Sequence, residues 1–192
     1  MGNREDLLAG AVACLKERGW ARTTVRDIAA AAGVSHAAIG YHFGSREALL
    51  LAAYVQAMDE WGTEVGKAVE AAAEQGANRR EQYAALWDEL AGSVRAHRPL
   101  WLASIEASVV AEHNTQVRDL LVGAMGEGRR GLTADLTAVA EDEVDDRLVR
   151  SVGAVQMALL SGLMIQLLVD PDNAPSGQEV VEGLTAIATR LT

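Results

Sequence analysis

The sequence predicts an all-α fold of about nine helices, because three features agree. Apolar residues recur at helical spacing along the chain, and no run alternates apolar and polar residues as a half-buried strand would. Only 3 of the 192 residues are proline, the strongest helix breaker. We expect an N-terminal three-helix domain over residues 1–46 and a C-terminal helical bundle over residues 47–192.

Composition excludes several protein classes. A hydrophobic content of 49% and a charged content of 23% are typical of globular proteins rather than disordered ones. The single cysteine, Cys14, cannot form an intramolecular disulfide, and the N-terminus lacks the pattern of a signal peptide. The most apolar stretch, residues 156–169, is interrupted by polar residues and is shorter than the roughly 18 apolar residues of a membrane span. We therefore expect a cytoplasmic protein with no membrane segment.

The first two helices have clear ends. Apolar residues predict a helix over residues 4–18, which Gly19 terminates. Thr24 is a favoured N-cap residue and predicts a short second helix that reaches Ala31. The apolar residues of these two helices are spaced so that they can pack together in one small buried core.

A third helix follows after a tight turn. Gly33 supplies the turn, Ser35 caps the helix, and Gly44 ends it after His42. Two short helices joined by a tight turn with a glycine are the sequence form of a helix-turn-helix. The alternative is an Ala-rich helix pair that serves only for packing.

Six longer helices are expected in the C-terminal part. Pro99 fits the first turn of one helix, and Asn114 is a suitable cap for the next. Four glycines between residues 123 and 131 leave a kink or a break open in that helix. The predicted helices cover residues 45–74, 80–97, 99–112, 114–140, 145–169 and 176–191.

Charge is distributed unevenly. The net charge is −10, from 17 Lys and Arg against 27 Asp and Glu. Residues 1–46 hold 6 bases and 4 acids, for +2, and the remainder holds 11 bases and 23 acids, for −12. A small positive end on an acidic protein is compatible with docking to nucleic acid through that end alone.

The third predicted helix has a slim face that suits the major groove of DNA. This face carries Ser35, His36, Ala37, Ala38, Gly40, Tyr41 and His42. The surrounding residues suit phosphate. They are Arg22, Thr24, Arg26 and Arg46.

The segments LLAGAVACLKERGWARTTVRDIA and AGVSHAAIGYHFGSREALL resemble the DNA-binding domain of the TetR (tetracycline-repressor) family of bacterial regulators. The resemblance covers about a quarter of the chain by motif and all of it by helix count. It implies that Thr24 and Arg26 lie near phosphate, and that the phosphate contact from the start of the fourth helix falls to Arg46.

The same resemblance assigns roles in the third helix. Ser35 and His36 would meet the DNA backbone, Tyr41 and His42 would touch phosphate or a base, and three small residues would face base edges: Ala37, Ala38 and Gly40. The chain departs from the family pattern, which commonly has an aromatic residue at the position of Gly40 and Lys at that of Arg46. Because Ala37, Ala38 and Gly40 offer no side-chain hydrogen bonds, apolar contacts and DNA shape would have to contribute to specificity.

The C-terminal helices carry aromatic residues at helical spacing. We expect them to line a cavity for a small apolar or amphipathic effector, with a plain packed core as the alternative. The candidate ligand-binding residues are Tyr54, Met58, Trp61, Tyr83, Trp87, Trp101, Ile105 and Glu106.

The last two helices carry more apolar residues than one bundle face needs, which predicts a partner helix pair. The resemblance implies a two-fold homodimer through a four-helix interface. The candidate interface residues are Val152, Val155, Leu159, Leu163, Val180, Leu184 and Ile187.

No catalytic or metal site is expected, and no cofactor. His97 and His113 lack a second ligand at metal spacing, and no serine has an identifiable base. The sequence therefore predicts a non-enzymatic, DNA-binding transcriptional regulator, a repressor that an effector releases from its operator. Two alternatives stay open: a DNA-binding regulator without a small-molecule ligand, and a helical-bundle enzyme.

Overall fold

The computed structural model describes residues 3–137 and 139–191. Within these residues it contains nine α-helices and no strand, which confirms the all-α prediction. The first seven helices are α1 Asn3–Arg18, α2 Val25–Ala32, α3 Ala37–Phe43, α4 Arg46–Glu74, α5 Arg79–Ala96, α6 Arg98–His113 and α7 Thr115–Thr137.

A short 3₁₀ turn, Glu141–Glu143, precedes α8, which is helical throughout Asp146–Val169. Within α8, an α-helical turn Asp146–Leu148 passes through a π-helical turn, Val149–Gly153, into the α-helix Ala154–Val169. The last helix, α9, is Gly177–Leu191.

The chain forms two compact units. The first unit contains the chain up to Glu60 together with His97–Glu127, and the second contains Trp61–Ala96 together with the chain from Gly128 onward. The long helix α4 thus contributes its first half to one unit and its second half to the other.

The first unit has one apolar core. Residues of α1, the start of α4 and α6 supply most of it, and Ile28 and Ile39 anchor α2 and α3 to it. Cys14 is buried in this core, and burial raises the pKa of its thiol. Trp101 of α6 is fully buried. The two short helices are therefore held in place by packing against α1 and α4.

In the second unit, α5 packs against α8 and α9. Leu86, Trp87 and Leu90 are the buried residues of α5 that face this packing, and Gln156 of α8 is buried as well. Both polar atoms of the Gln156 side chain have a partner, since its Nε2 donates to the Leu132 carbonyl at 2.8 Å and its Oε1 accepts from the Tyr83 hydroxyl at 3.1 Å. Gly153 lies so close to α7 that a Cβ there would clash with the Arg129 carbonyl, so glycine is required at this crossing.

One prediction about the long helices is confirmed and one needs correction. The seventh helix runs without interruption through its glycines, as predicted, and is described as far as Thr137; residue 138, inside the predicted range 114–140, lies outside the described residues. The sequence predicts that the apolar stretch at residues 156–169 is too short for a membrane span, but the helix that contains it begins at Asp146 and is long and apolar enough to cross a membrane, with a mean hydropathy of 1.9 over an 18-residue window. Length and composition alone are weak evidence of a span, because core helices of water-soluble proteins pass the same test.

Candidate nucleic-acid interface

The start of α2 is fixed by a capping box. The Asp27 backbone N–H donates to the Thr24 Oγ1 at 3.2 Å, and the Thr24 backbone N–H donates to the Asp27 carboxylate at 2.8 Å. Arg18 adds an ion pair to Asp27 at 2.7 Å. The hydrogen bonds from Thr24, followed by the charge of Arg18, lower the pKa of Asp27. The first turn of α2 is therefore rigidly defined on an exposed surface.

Gly33 makes the turn that joins α2 to α3. Its φ of 68° and ψ of 24° lie in the left-handed region, which favours glycine. The Val34 N–H donates to the Ala29 carbonyl at 3.1 Å and the Gly33 N–H to the Ala30 carbonyl at 3.3 Å, so the end of α2 is closed. The predicted helix-turn-helix is therefore present.

The third helix presents one exposed face. Ile39 is 3% exposed and holds α3 to the core, whereas Tyr41 is 87% exposed and its ring lies edge-on to His42 at 4.9 Å between centroids. The predicted N-cap Ser35 is wrong by one residue: the helix begins at Ala37 with His36 at the N-cap position, and the Ser35 Oγ only accepts the Ala37 N–H at 3.4 Å. The other predicted residues of this face are exposed at His36, Ala37 and Gly40 and half-buried at Ala38 and His42.

Two arginines flank the helix-turn-helix. Arg22 is exposed, and its Nε donates to the Arg18 carbonyl at 3.1 Å, which orients the side chain. Arg26 on α2 is exposed and has no hydrogen-bond partner within the described parts of the chain. An open groove of about 690 Å³ at the start of α2 is lined by Ala21, Thr23, Thr24, Val25, Arg26 and Arg46. This groove combines cationic side chains with the N-terminus of a helix, an arrangement that suits phosphate.

Arg46 lies differently from the other arginines. Its guanidinium donates to the backbone carbonyls of Trp20 and Thr23 and pairs with Glu47 at 3.0 Å. The side chain is only 21% exposed. The Arg46 side chain, which the sequence predicts to contact phosphate, thus has three partners inside the protein.

The predicted ligand-binding residues divide between the two units. Tyr54, Met58, Trp101, Ile105 and Glu106 belong to the first unit, and Trp61, Tyr83 and Trp87 belong to the second. Trp101 and Trp87 are buried, and Ile105 is 39% exposed. Burial raises the pKa of Tyr54 to about 12, and its hydroxyl is hydrogen-bonded to Ser104. The Tyr83 ring lies edge-on to Trp87 at 5.6 Å.

Glu106 has a role that the sequence did not predict. Its carboxylate accepts the backbone N–H of Ala21 at 3.1 Å, across 85 residues of chain. No local pattern around either residue signals this contact, because it depends on how α6 packs against α1.

The predicted interface residues on α8 and α9 are of two kinds. Leu163 and Val180 are buried within the second unit, whereas Val155 and Ile187 are 59% and 60% exposed. The half-buried residues Val152, Leu159 and Leu184 line an open, largely apolar groove of about 610 Å³, which also borders Val155 and Gln156.

Among the residues that the structure describes, no three His, Cys, Asp or Glu side chains are grouped so as to hold a metal ion.

Comparison with known proteins connects the N-terminal part to one family. The family model described as "Bacterial regulatory proteins, tetR family" matches residues 7–53. The HTH-type transcriptional repressor AcnR of Corynebacterium efficiens is 42% identical over 52 residues, and AcnR of Corynebacterium glutamicum is 44% identical over 50 residues. These matches cover 27% and 26% of this chain and only 28% and 27% of the two relatives.

Solved structures match the chain over nearly its whole length. The multidrug binding protein EbrR complexed with proflavin has a TM-score of 0.65 at 22% identity, and the match covers 96% of this chain and 99% of that one. A TetR transcription regulator from Haloarcula marismortui has a TM-score of 0.62 at 20% identity, covering 96% and 94% of the two chains. At these identities the likeness establishes the fold.

Proposed function

We propose that the chain is a member of the TetR family of bacterial transcriptional regulators, whose model matches residues 7–53, and that the whole protein is a homodimeric, ligand-responsive repressor in the cytoplasm. The observation that carries the proposal is the capped helix α2, turned by Gly33 into a helix whose outer face exposes Ser35, His36, Ala37, Gly40 and Tyr41. We assign DNA binding to residues 1–46 and effector binding and dimerisation to residues 47–192.

In this proposal the two short helices, α2 and α3, contact different parts of the DNA. Arg22, Thr24 and Arg26, with the N-terminus of α2, contact phosphate and fix the register. The small residues Ala37, Ala38 and Gly40 approach base edges in the major groove, while Ser35 and His36 meet the backbone beside them. Tyr41 and His42 touch phosphate or a base at the far end of α3. The exposure of Ser35, His36, Ala37, Gly40 and Tyr41 supports the roles of those residues, whereas Ala38 and His42 are half-buried.

The exposed apolar residues of α8 and α9 form the proposed dimer interface. Val155 and Ile187 stand out from the second unit, beside the apolar groove that Val152, Leu159 and Leu184 line. Contact of two copies across this surface would remove these side chains from water. A two-fold dimer also presents two recognition helices to successive major grooves, about 34 Å apart along the duplex.

The effector is a small apolar or amphipathic molecule in this proposal, and it binds the conformation in which the recognition helices are badly spaced for the operator. Ligand and DNA then weaken each other's binding reciprocally. Support comes from the aromatic residues of α4, α5 and α6 and from the fold shared with EbrR, which binds proflavin.

A second candidate is a DNA-binding regulator that senses no small molecule. The packing of two candidate ligand residues favours it, because Trp101 is fully buried and Trp87 is 3% exposed. In that case the aromatic residues only fill the core.

Selection of duplexes from a random DNA pool, followed by affinity measurements with and without a small-molecule library, tests both candidates. A repressor of the proposed kind enriches a two-fold symmetric sequence, and at least one apolar ligand weakens its binding. Enrichment that no ligand affects supports the second candidate. If no duplex is enriched, DNA-binding regulation is the wrong function.

A further inference from the structure

The segment between α1 and α2, residues 19–24, leads directly into the capping box of α2. We name this segment the α1–α2 turn. It is closed internally at two points, because the Thr23 hydroxyl donates to the Gly19 carbonyl at 2.7 Å and the Thr23 N–H donates to the Trp20 carbonyl at 3.3 Å. Three main-chain groups of the turn, one N–H and two carbonyls, are bound by charged side chains from distant helices.

Each side chain has the charge that its main-chain partner needs. The guanidinium of Arg46, at the start of α4, donates to the carbonyls of Trp20 and Thr23, the latter at 2.6 Å. The carboxylate of Glu106 on α6 accepts the Ala21 N–H at 3.1 Å. Charge-assisted hydrogen bonds of this kind are stronger than neutral ones, and the Arg46 fork fixes two carbonyls in one plane.

We infer that Arg46 and Glu106 are positioning residues that clamp the α1–α2 turn, and that this clamp sets the orientation in which α2 meets DNA phosphate. The inference rests on the proposed DNA-binding function. In this inference Arg46 binds groups of the protein itself and does not contact a DNA phosphate. It also makes α6 a direct partner of the segment that leads into α2.

Conservative substitutions separate a clamp from a phosphate contact. Lysine keeps the positive charge of Arg46 but lacks the planar fork, so a phosphate contact would survive Arg46→Lys while the clamp would not. Glutamine keeps the hydrogen-bond acceptor of Glu106 but removes its charge, whereas alanine removes both. Since loss of a negative charge strengthens attraction to DNA in general, weaker binding by Glu106→Ala points to positioning.

The experiment uses the full-length chain and three readouts. Affinity for duplex DNA is measured at several salt concentrations, thermal unfolding reports the fold, and hydrogen exchange reports the Ala21 amide without any DNA. Glu112→Ala is the matched control, because it removes an exposed acid from the same helix, 3.9 Å from Arg118.

We expect Arg46→Lys and Glu106→Ala each to weaken DNA binding about tenfold, since each breaks a charge-assisted bond, with the salt dependence of the wild type. Glu106→Ala also speeds exchange of the Ala21 amide, and Glu106→Gln, which keeps a neutral acceptor, shows a smaller effect on affinity and exchange. Glu112→Ala, which removes a negative charge without touching the turn, keeps the wild-type Ala21 exchange and binds DNA no more weakly than the wild type. The inference is overturned if Arg46→Lys binds DNA like the wild type, or if Ala21 exchange is unchanged in Glu106→Ala. A wild-type chain that binds no duplex refutes the proposed function instead, and Ala21 exchange still decides whether the clamp exists.

Discussion

The exposed residues of α2 and α3 are small, polar or cationic, whereas several of the exposed residues of α8 and α9 are large and apolar. Tyr41 is the one large apolar side chain strongly exposed on the first pair among the described residues, while Val155, Val169 and Leu191 are exposed on the second by 59%, 80% and 83%. Polar and cationic surface suits phosphate, and apolar surface suits a protein partner. The difference implies that the exposed surface of α2 and α3 suits nucleic acid, whereas that of α8 and α9 suits a protein partner.

Placing charge on the apolar surface should have the largest effect. The double substitution Val155→Glu and Ile187→Glu puts two carboxylates into the proposed interface, where desolvation and mutual repulsion oppose association. We expect a monomer in sedimentation analysis and an operator affinity about 100-fold lower, because a monomer contacts one half-site. Val109→Glu on α6, at a valine that is 65% exposed, is the control and should keep the native mass. A double variant that remains dimeric would place the interface elsewhere.

Removing a cation from the other surface should have a smaller effect. Arg26→Ala deletes one proposed phosphate contact, and we expect binding about tenfold weaker for all sequences, with a salt slope reduced by about 1. Arg80→Ala, at an exposed arginine of the second unit, should leave both quantities unchanged. Equal losses in the two variants would mean that only overall charge matters.

Two glycines of the helix-turn-helix should respond in opposite directions. Gly33 has a φ of 68°, so Gly33→Ala should lower the free energy of unfolding by about 1 kcal/mol. Gly40 is helical and a Cβ there meets nothing within 4 Å, so Gly40→Ala should raise it by about 0.5–1 kcal/mol. Denaturant titration measures both. A destabilised Gly40→Ala variant would show that α3 packs more closely than the structure indicates.

The smallest effects concern pH, and they differ in sign between the two units. The capping box lowers the pKa of Asp27, so its stabilising contribution is present above the unfolded-state pKa of about 3.9 and is lost as pH falls through the native value. Desolvation, with the Glu141 carboxylate nearby, raises the pKa of Asp135, so folding favours its protonated form. The stability that this group contributes is therefore present below the unfolded-state pKa and is lost as pH rises through the native pKa.

At neutral pH, therefore, Asp27→Asn should be less stable than the wild type and Asp135→Asn more stable. Both differences should shrink as the pH is lowered, because the wild-type carboxyls become neutral. Thermal unfolding from pH 7 to pH 3 measures this, and two variants that shift in the same direction at neutral pH would contradict the assignment.

Local signals predicted the local structure well. Thr24 caps α2, Gly33 turns the chain, and Asn114 caps α7 by accepting the Val117 N–H at 3.1 Å. Each of these depends on residues at most a few positions apart, so the sequence contains the whole interaction.

Tertiary interactions were not predictable in this way. The sequence leaves a kink or a break open at the four glycines of α7, and the structure shows that the helix runs through them. The π-helical turn in α8 ends at Gly153, where α7 crosses closely. The partners of Arg46 and Glu106 are main-chain groups 23 to 85 residues away, which no local pattern reveals.

In the proposed function, two copies of this chain bind one duplex through α2 and α3. The mass of the complex with an enriched duplex, measured by sedimentation together with hydroxyl-radical footprinting, tests it directly. We predict two protomers on one duplex, with protected half-sites about one helical turn apart, and loss of that protection in Arg26→Ala. A single protomer on the duplex, or protection that Arg26→Ala leaves intact, would contradict the account.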